Sequence, residues 1–107
     1  MAATYKVLGQ SAPSAATATT LFTASSATII STLNAANIGG TQDTIRIAIR
    51  PSGATLANQH YIAYGVPLAA GAVFSIQGGL TLANTDVVTV YSTTGNTSFT
   101  ATGSDGN

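Results

Sequence analysis

The sequence predicts an all-β chain: an antiparallel two-sheet β-sandwich of about eight short strands, jelly-roll-like in its connections. Three observations carry that prediction. In Thr44-Ile45-Arg46-Ile47-Ala48-Ile49-Arg50, residues Ile45, Ile47 and Ile49 fall on one face of an extended strand and Thr44, Arg46, Ala48 and Arg50 on the other. Short β-branched or aromatic blocks of the same kind recur between turns of small residues, through Tyr91 and beyond. No long helical pattern separates these blocks, which argues against a parallel βαβ arrangement.

Taken in order, residues 5–8 make a short strand closed by Gly9, and residues 10–18, with Pro13, an irregular connection. Residues 18–24 are read as a strand, because threonine loses rotamer freedom in a helix. Ser25 and Ser26 turn the chain into a strand over 27–33, with Ile29, Ser31 and Leu33 on one face and Thr28, Ile30 and Thr32 on the other. Phe22, Ile29, Ile30 and Leu33 also fit a helical stripe; the density of Ser and Thr favours the strand. Residues 34–43, around Gly39-Gly40, form a loop before the Thr44 strand, which Pro51 ends.

Pro51-Ser52-Gly53 is a turn, with proline presetting φ and glycine tolerating a positive one. A strand over 60–64 follows, with His60, Ile62 and Tyr64 on one face and Tyr61 and Ala63 on the other. Residues 65–71, around Pro67, connect it to a strand over 73–77 with Phe74 and Ile76 pointing one way. Gly78-Gly79 punctuates, residues 80–82 extend briefly, and 83–85 turn. Residues 86–92 form a strong strand with Val88 and Val90 opposed to Val87, Thr89 and Tyr91. Residues 93–96 turn again, and 97–102 form the last strand, centred on Phe99.

The 107 residues make one domain, 1–107, with 1–3 and 103–107 as terminal extensions. Only 6% of residues are charged and the formal net charge is zero. A surface so poor in charge protects weakly against self-association, so assembly is expected to cover part of it. Patterned β-branched and aromatic blocks argue against disorder. Without cysteine there is no disulfide framework and no thiolate ligand or nucleophile. The first residues lack the pattern of a signal peptide, no apolar run is long enough for a spanning helix, and neutral charge disfavours nucleic acid as a partner.

A search for chemistry finds little. His60 is the only histidine, and nothing marks a serine or acid as its partner. It is read as a strand-edge residue or a subunit contact. Asp43, Asp86 and Asp105 are a poor supply for a zinc site or a carboxylate pair. Asp86 is read as opening its strand from a turn, with a lone calcium ligand as the alternative. Gly39-Gly40 and Gly78-Gly79 lack the context of a phosphate loop and are read as turns or bulges. Asn96-Thr97-Ser98 matches a glycosylation acceptor, meaningful only in a secreted eukaryotic chain. No catalytic residue, cofactor or metal is assigned. Arg46 and Arg50 share a strand face and are either a subunit contact or a solvated side paired with Asp43. Tyr5, Tyr61, Tyr64 and Tyr91 are half-buried residues or contacts, and Tyr61 and Tyr64 lie in the densest aromatic segment.

Thr4-Tyr5-Lys6-Val7-Leu8-Gly9-Gln10 and Arg50-Pro51-Ser52-Gly53-Ala54-Thr55-Leu56-Ala57-Asn58, running into His60-Tyr61-Ile62-Ala63-Tyr64, resemble small virion structural proteins of tailed bacteriophages, cyanophages among them. Gly78-Gly79-Leu80-Thr81-Leu82 and Thr85-Asp86-Val87-Val88-Thr89-Val90-Tyr91 look like the same group. The resemblance implies a non-enzymatic β-sandwich packed on the virion, often as a homotrimer, with itself and the major capsid protein as partners. A capsid decoration or cement protein is the expectation, with a neck, tail or tail-fibre component as the alternative. It would be assembled into the virion in the host cytoplasm. A carbohydrate-binding adhesion module is the reading from another class. Candidate subunit or capsid contacts are Arg46, Arg50, His60, Tyr61 and Tyr64.

Overall fold

A computed structural model describes residues 4–105. They form eight strands: β1 (Thr4–Ser11), β2 (Thr19–Thr23), β3 (Thr28–Asn37), β4 (Asp43–Arg50), β5 (Tyr61–Leu68), β6 (Val73–Leu82), β7 (Val87–Ser92) and β8 (Thr97–Asp105). Two single-turn 3-10 segments, Pro51–Gly53 and Asn58–His60, lie between β4 and β5. There is no α-helix among the described residues, so Phe22, Ile29, Ile30 and Leu33, which also fit a helical stripe, lie in strands.

The first sheet has the order β1-β8-β3-β6 and the second β2-β7-β4-β5, and every pairing is antiparallel. Strand β1 pairs with β8, β2 with β7, β3 with β6 and β4 with β5. This is one long hairpin with its tip at the β4–β5 loop. Rolled up, it brings β3 against β8 and β4 against β7. That is a jelly roll, as the sequence predicts.

The core lies between the sheets. Phe99, Leu33, Ile45, Ile47, Val88 and Val90 are all fully buried there, each contributing about 1.5–3 kcal/mol by leaving water. Ile49, Phe74 and Ile76 pack against its margin. The alternation read from the Thr44 strand therefore places its isoleucines correctly.

Bulges explain most departures from the sequence reading. In β3, Ser31 is an extra residue between Ile30 and Thr32, so the buried set changes phase from Thr28 and Ile30 to Leu33, Ala35 and Asn37. The predicted face of Ile29, Ser31 and Leu33 is thereby split: Ile29 is exposed and Leu33 buried. Gly9 does not close β1, which bulges at Leu8 and runs on to Ser11. Gly78-Gly79 is a bulge inside β6 rather than its end. Strand β3 also continues to Asn37, where a loop was expected.

Strand β5 continues through Pro67 to Leu68. It is an edge strand pairing only with β4, so a proline without an N–H is tolerated there. The predicted extension 103–107 is corrected as well. Strand β8 runs to Asp105, whose carboxylate is buried and lies 3.1 Å from Lys6 Nζ. Gly103 is held where β8 crosses the β3 bulge: a Cβ there would sit 2.0 Å from the Ile29 carbonyl oxygen. The predicted extension at 1–3 lies outside the described residues, as do 106 and 107.

Candidate functional site

Among the described residues, the outer face of the second sheet carries the one dense aromatic and cationic cluster. Arg46 stands in register with Tyr64 of β5 on one side and Tyr91 of β7 on the other. Its guanidinium carbon lies 4.5 Å from the Tyr64 ring centre and 4.2 Å from that of Tyr91. The cation is thus held against two π faces, each contact worth about 0.5–1 kcal/mol near a surface. Tyr61 meets Tyr64 edge to face, with centroids 4.9 Å apart.

This grouping depends on irregularities in β5. Tyr61 and Tyr64 are three residues apart, so a regular strand would put them on opposite faces, as the sequence reading did. Ile62 is an extra residue opposite the β4 ladder and returns Tyr61 to the face of Tyr64. A second bulge at Gly65, with φ of 68°, sets Tyr64 opposite Arg46. Tyr91, outside the five contact candidates, completes the cluster. The outward phase of Tyr91, opposite Val88 and Val90, was legible; that β7 would lie beside β4 was not.

The other candidates separate from it. Arg50 is bound within the subunit, its Nε donating to Thr89 Oγ1 at 3.1 Å and its Nη1 to the Ala54 carbonyl at 2.9 Å. It fastens the turn after β4 back onto β7. His60 is buried at the end of a 3-10 turn, outside the strand assigned to it, and its Nδ1 accepts the Ala57 N–H at 3.0 Å. Its ring closes the β4–β5 loop and is not presented for contact. Neither arginine pairs with Asp43.

Asp43 is instead a buried anchor. Its Oδ2 accepts the hydroxyls of Ser92 and Thr97, and its Oδ1 accepts the N–H of Thr44 at 2.8 Å and of Thr94 at 3.0 Å. Burial pushes its pKa up, but the Ser92 and Thr97 hydroxyls and the Thr94 and Thr44 amides outweigh that and lower it from 3.8 to about 2. Asp86 accepts the N–H of Ser52 and of Ala83, each at 2.9 Å, and these bonds lower its carboxyl too. It is the turn anchor expected of it. Among the described residues no group of three or more His, Cys, Asp or Glu could hold a metal ion.

One end of the first sheet's outer face carries exposed apolar side chains. Tyr5, Val7 and Ile29 are 86%, 55% and 50% exposed around a shallow depression floored by Gly103 and Ser104. The edges are different. All four edge strands, β1, β6, β2 and β5, carry bulges, a device that blunts edge-to-edge pairing. No helix among the described residues is long and apolar enough to cross a membrane. No family model, curated protein or solved structure matches the chain.

Proposed function

We propose that the protein is a non-enzymatic structural component of a tailed-bacteriophage virion, a capsid decoration protein that cements the head shell as a homotrimer beside the major capsid protein. One observation carries this reading. Large apolar side chains stand exposed on both sheet faces of a chain with almost no charge, a surface suited to being covered. The bulged edges support it by directing contact to the faces. Fold alone would not, since jelly rolls serve many functions. Such a protein acts by area: a stable interface buries about 1,600 Å² in total, and repetition over a symmetric shell adds avidity.

The test is co-sedimentation of the purified chain with phage heads, with particle reconstruction to locate its density. Saturable attachment to the shell is expected. A stable monomer without affinity for heads overturns the reading, and density at the neck or tail moves the protein there. A second reading has its own observation. Asn58, Tyr61 and Tyr64 line a shallow concavity, the combination of aromatic platform and polar group that holds sugars. A glycan array unchanged by Tyr61→Ala and Tyr64→Ala removes it.

A further inference from the structure

Arg46 is an arginine whose donors are all unused. Among the described residues it makes no hydrogen bond and no ion pair, and its Nε is buried without an acceptor. Its terminal nitrogens have no partner either, yet they are not among the buried unpartnered atoms, so they reach solvent. The Tyr64 and Tyr91 rings fix the guanidinium plane and leave that end free. A planar, pre-oriented fork of N–H donors is matched by a carboxylate, which it binds through two parallel bonds.

The carboxylate has to come from elsewhere. The chain contains three acidic residues, Asp43, Asp86 and Asp105. Asp43 is buried and fully bonded, both oxygens of Asp86 hold backbone N–H groups, and Asp105 is buried against Lys6. A second copy therefore has no side-chain carboxylate to offer. Beside Arg46 on the same sheet face stand the exposed Tyr64 and the half-buried Tyr61 and Tyr91, an aromatic setting typical of protein contacts. We propose that Arg46, clamped between Tyr64 and Tyr91, docks an Asp or Glu side chain of a different protein. Copies of this chain then meet through other surfaces. The inference rests on the contact reading above and names the chemistry of its partner.

The test uses the isolated full chain, so it is read apart from attachment to heads. Arg46 and Arg50 are the only arginines, so the nitrogen-15 spectrum holds one Nε–H signal for each. Arg46 is assigned by its proximity to the Tyr64 and Tyr91 rings and by the loss of its signal in Arg46→Lys. The chain is titrated with an acetylated, amidated triglutamate peptide, with the triglutamine peptide and with trigalacturonate. A saturable shift of the Arg46 signal with triglutamate, at a Kd on the order of 10 mM or below, is expected, with the Arg50 signal still. Triglutamine should bind at least about tenfold more weakly. Sedimentation should show the same oligomer for Arg46→Lys as for the native chain. No saturable shift, an equal response to triglutamine, tighter binding of trigalacturonate, or loss of the oligomer in Arg46→Lys would each overturn the proposal.

Discussion

The guanidinium of Arg46 lies over the ring of Tyr91, 4.2 Å from carbon to centroid, although the two belong to strands 45 positions apart in the chain (91 minus 46). Their pairing joins β4 to β7 across the outer face of the second sheet. Replacing Tyr91 with Leu keeps apolar area and removes the π face. A double-mutant cycle of Tyr91→Leu with Arg46→Met should give a coupling of about 0.5–1 kcal/mol. Urea unfolding measures it, and additivity within error would show that the rings only cover the arginine.

The two arginines should respond differently to lysine. Arg50→Lys loses the paired reach to Thr89 and the Ala54 carbonyl and should cost about 1–2 kcal/mol of stability. Arg46→Lys keeps a cation over the rings and should stay within about 0.5 kcal/mol of the native chain. In co-sedimentation with heads the ranking should reverse, with Arg46→Lys attaching more weakly and Arg50→Lys attaching as the native chain does.

Acid should expose the Asp43 anchor. Its folded pKa is depressed from 3.8 to about 2. The stability it contributes is therefore present above pH 3.8 and lost as pH falls through about 2, to a total of about 2 kcal/mol. Urea midpoints measured from pH 5 down to pH 2 should fall steeply at the acid end. Asp43→Asn should be less stable at pH 5 and show a flatter fall. A remnant should persist, because Asp86 is lowered as well. An unchanged slope in Asp43→Asn would contradict the anchor.

Glycine substitutions should separate space from backbone conformation. Gly103→Ala drives a Cβ into the Ile29 carbonyl and should prevent stable folding, a loss of at least about 4 kcal/mol. Gly65→Ala meets open space but keeps a φ of 68°, costing about 1 kcal/mol and loosening the Tyr64 alignment. Gly40→Ala meets nothing within 4 Å and should be neutral. Thermal melts of the three variants test the order.

The sandwich was legible because Ile45 and Ile47, and Val88 and Val90, recur at every second position and reach the core. What escaped were the places where one extra residue changes the phase. Ser31, Ile62 and Gly65 look like ordinary strand or turn residues, and only the partner strand reveals them as surplus. That is why Tyr61 and Tyr64 were placed on opposite faces. Asp43 was visible as an acid at a strand start, but its partners Ser92 and Thr97 lie about fifty residues away. His60 and Arg50 were visible as unusual residues in a charge-poor chain. Their roles as loop fasteners depend on backbone groups, Ala57 N–H and the Ala54 carbonyl, that carry no signature in sequence.

The rolled hairpin sets a timetable for synthesis. Strand β1 is made first, yet its only sheet neighbour is β8, the last strand. Until β8 has been made, β1 has no strand to pair with. The only hydrogen-bonded pair of consecutive strands is β4 with β5, so that tip carries the smallest loop-closure cost and is where ordering begins. Pairing then spreads outward from the middle of the chain, and the two ends are the last to meet. The first sheet therefore cannot close until β8 has been made.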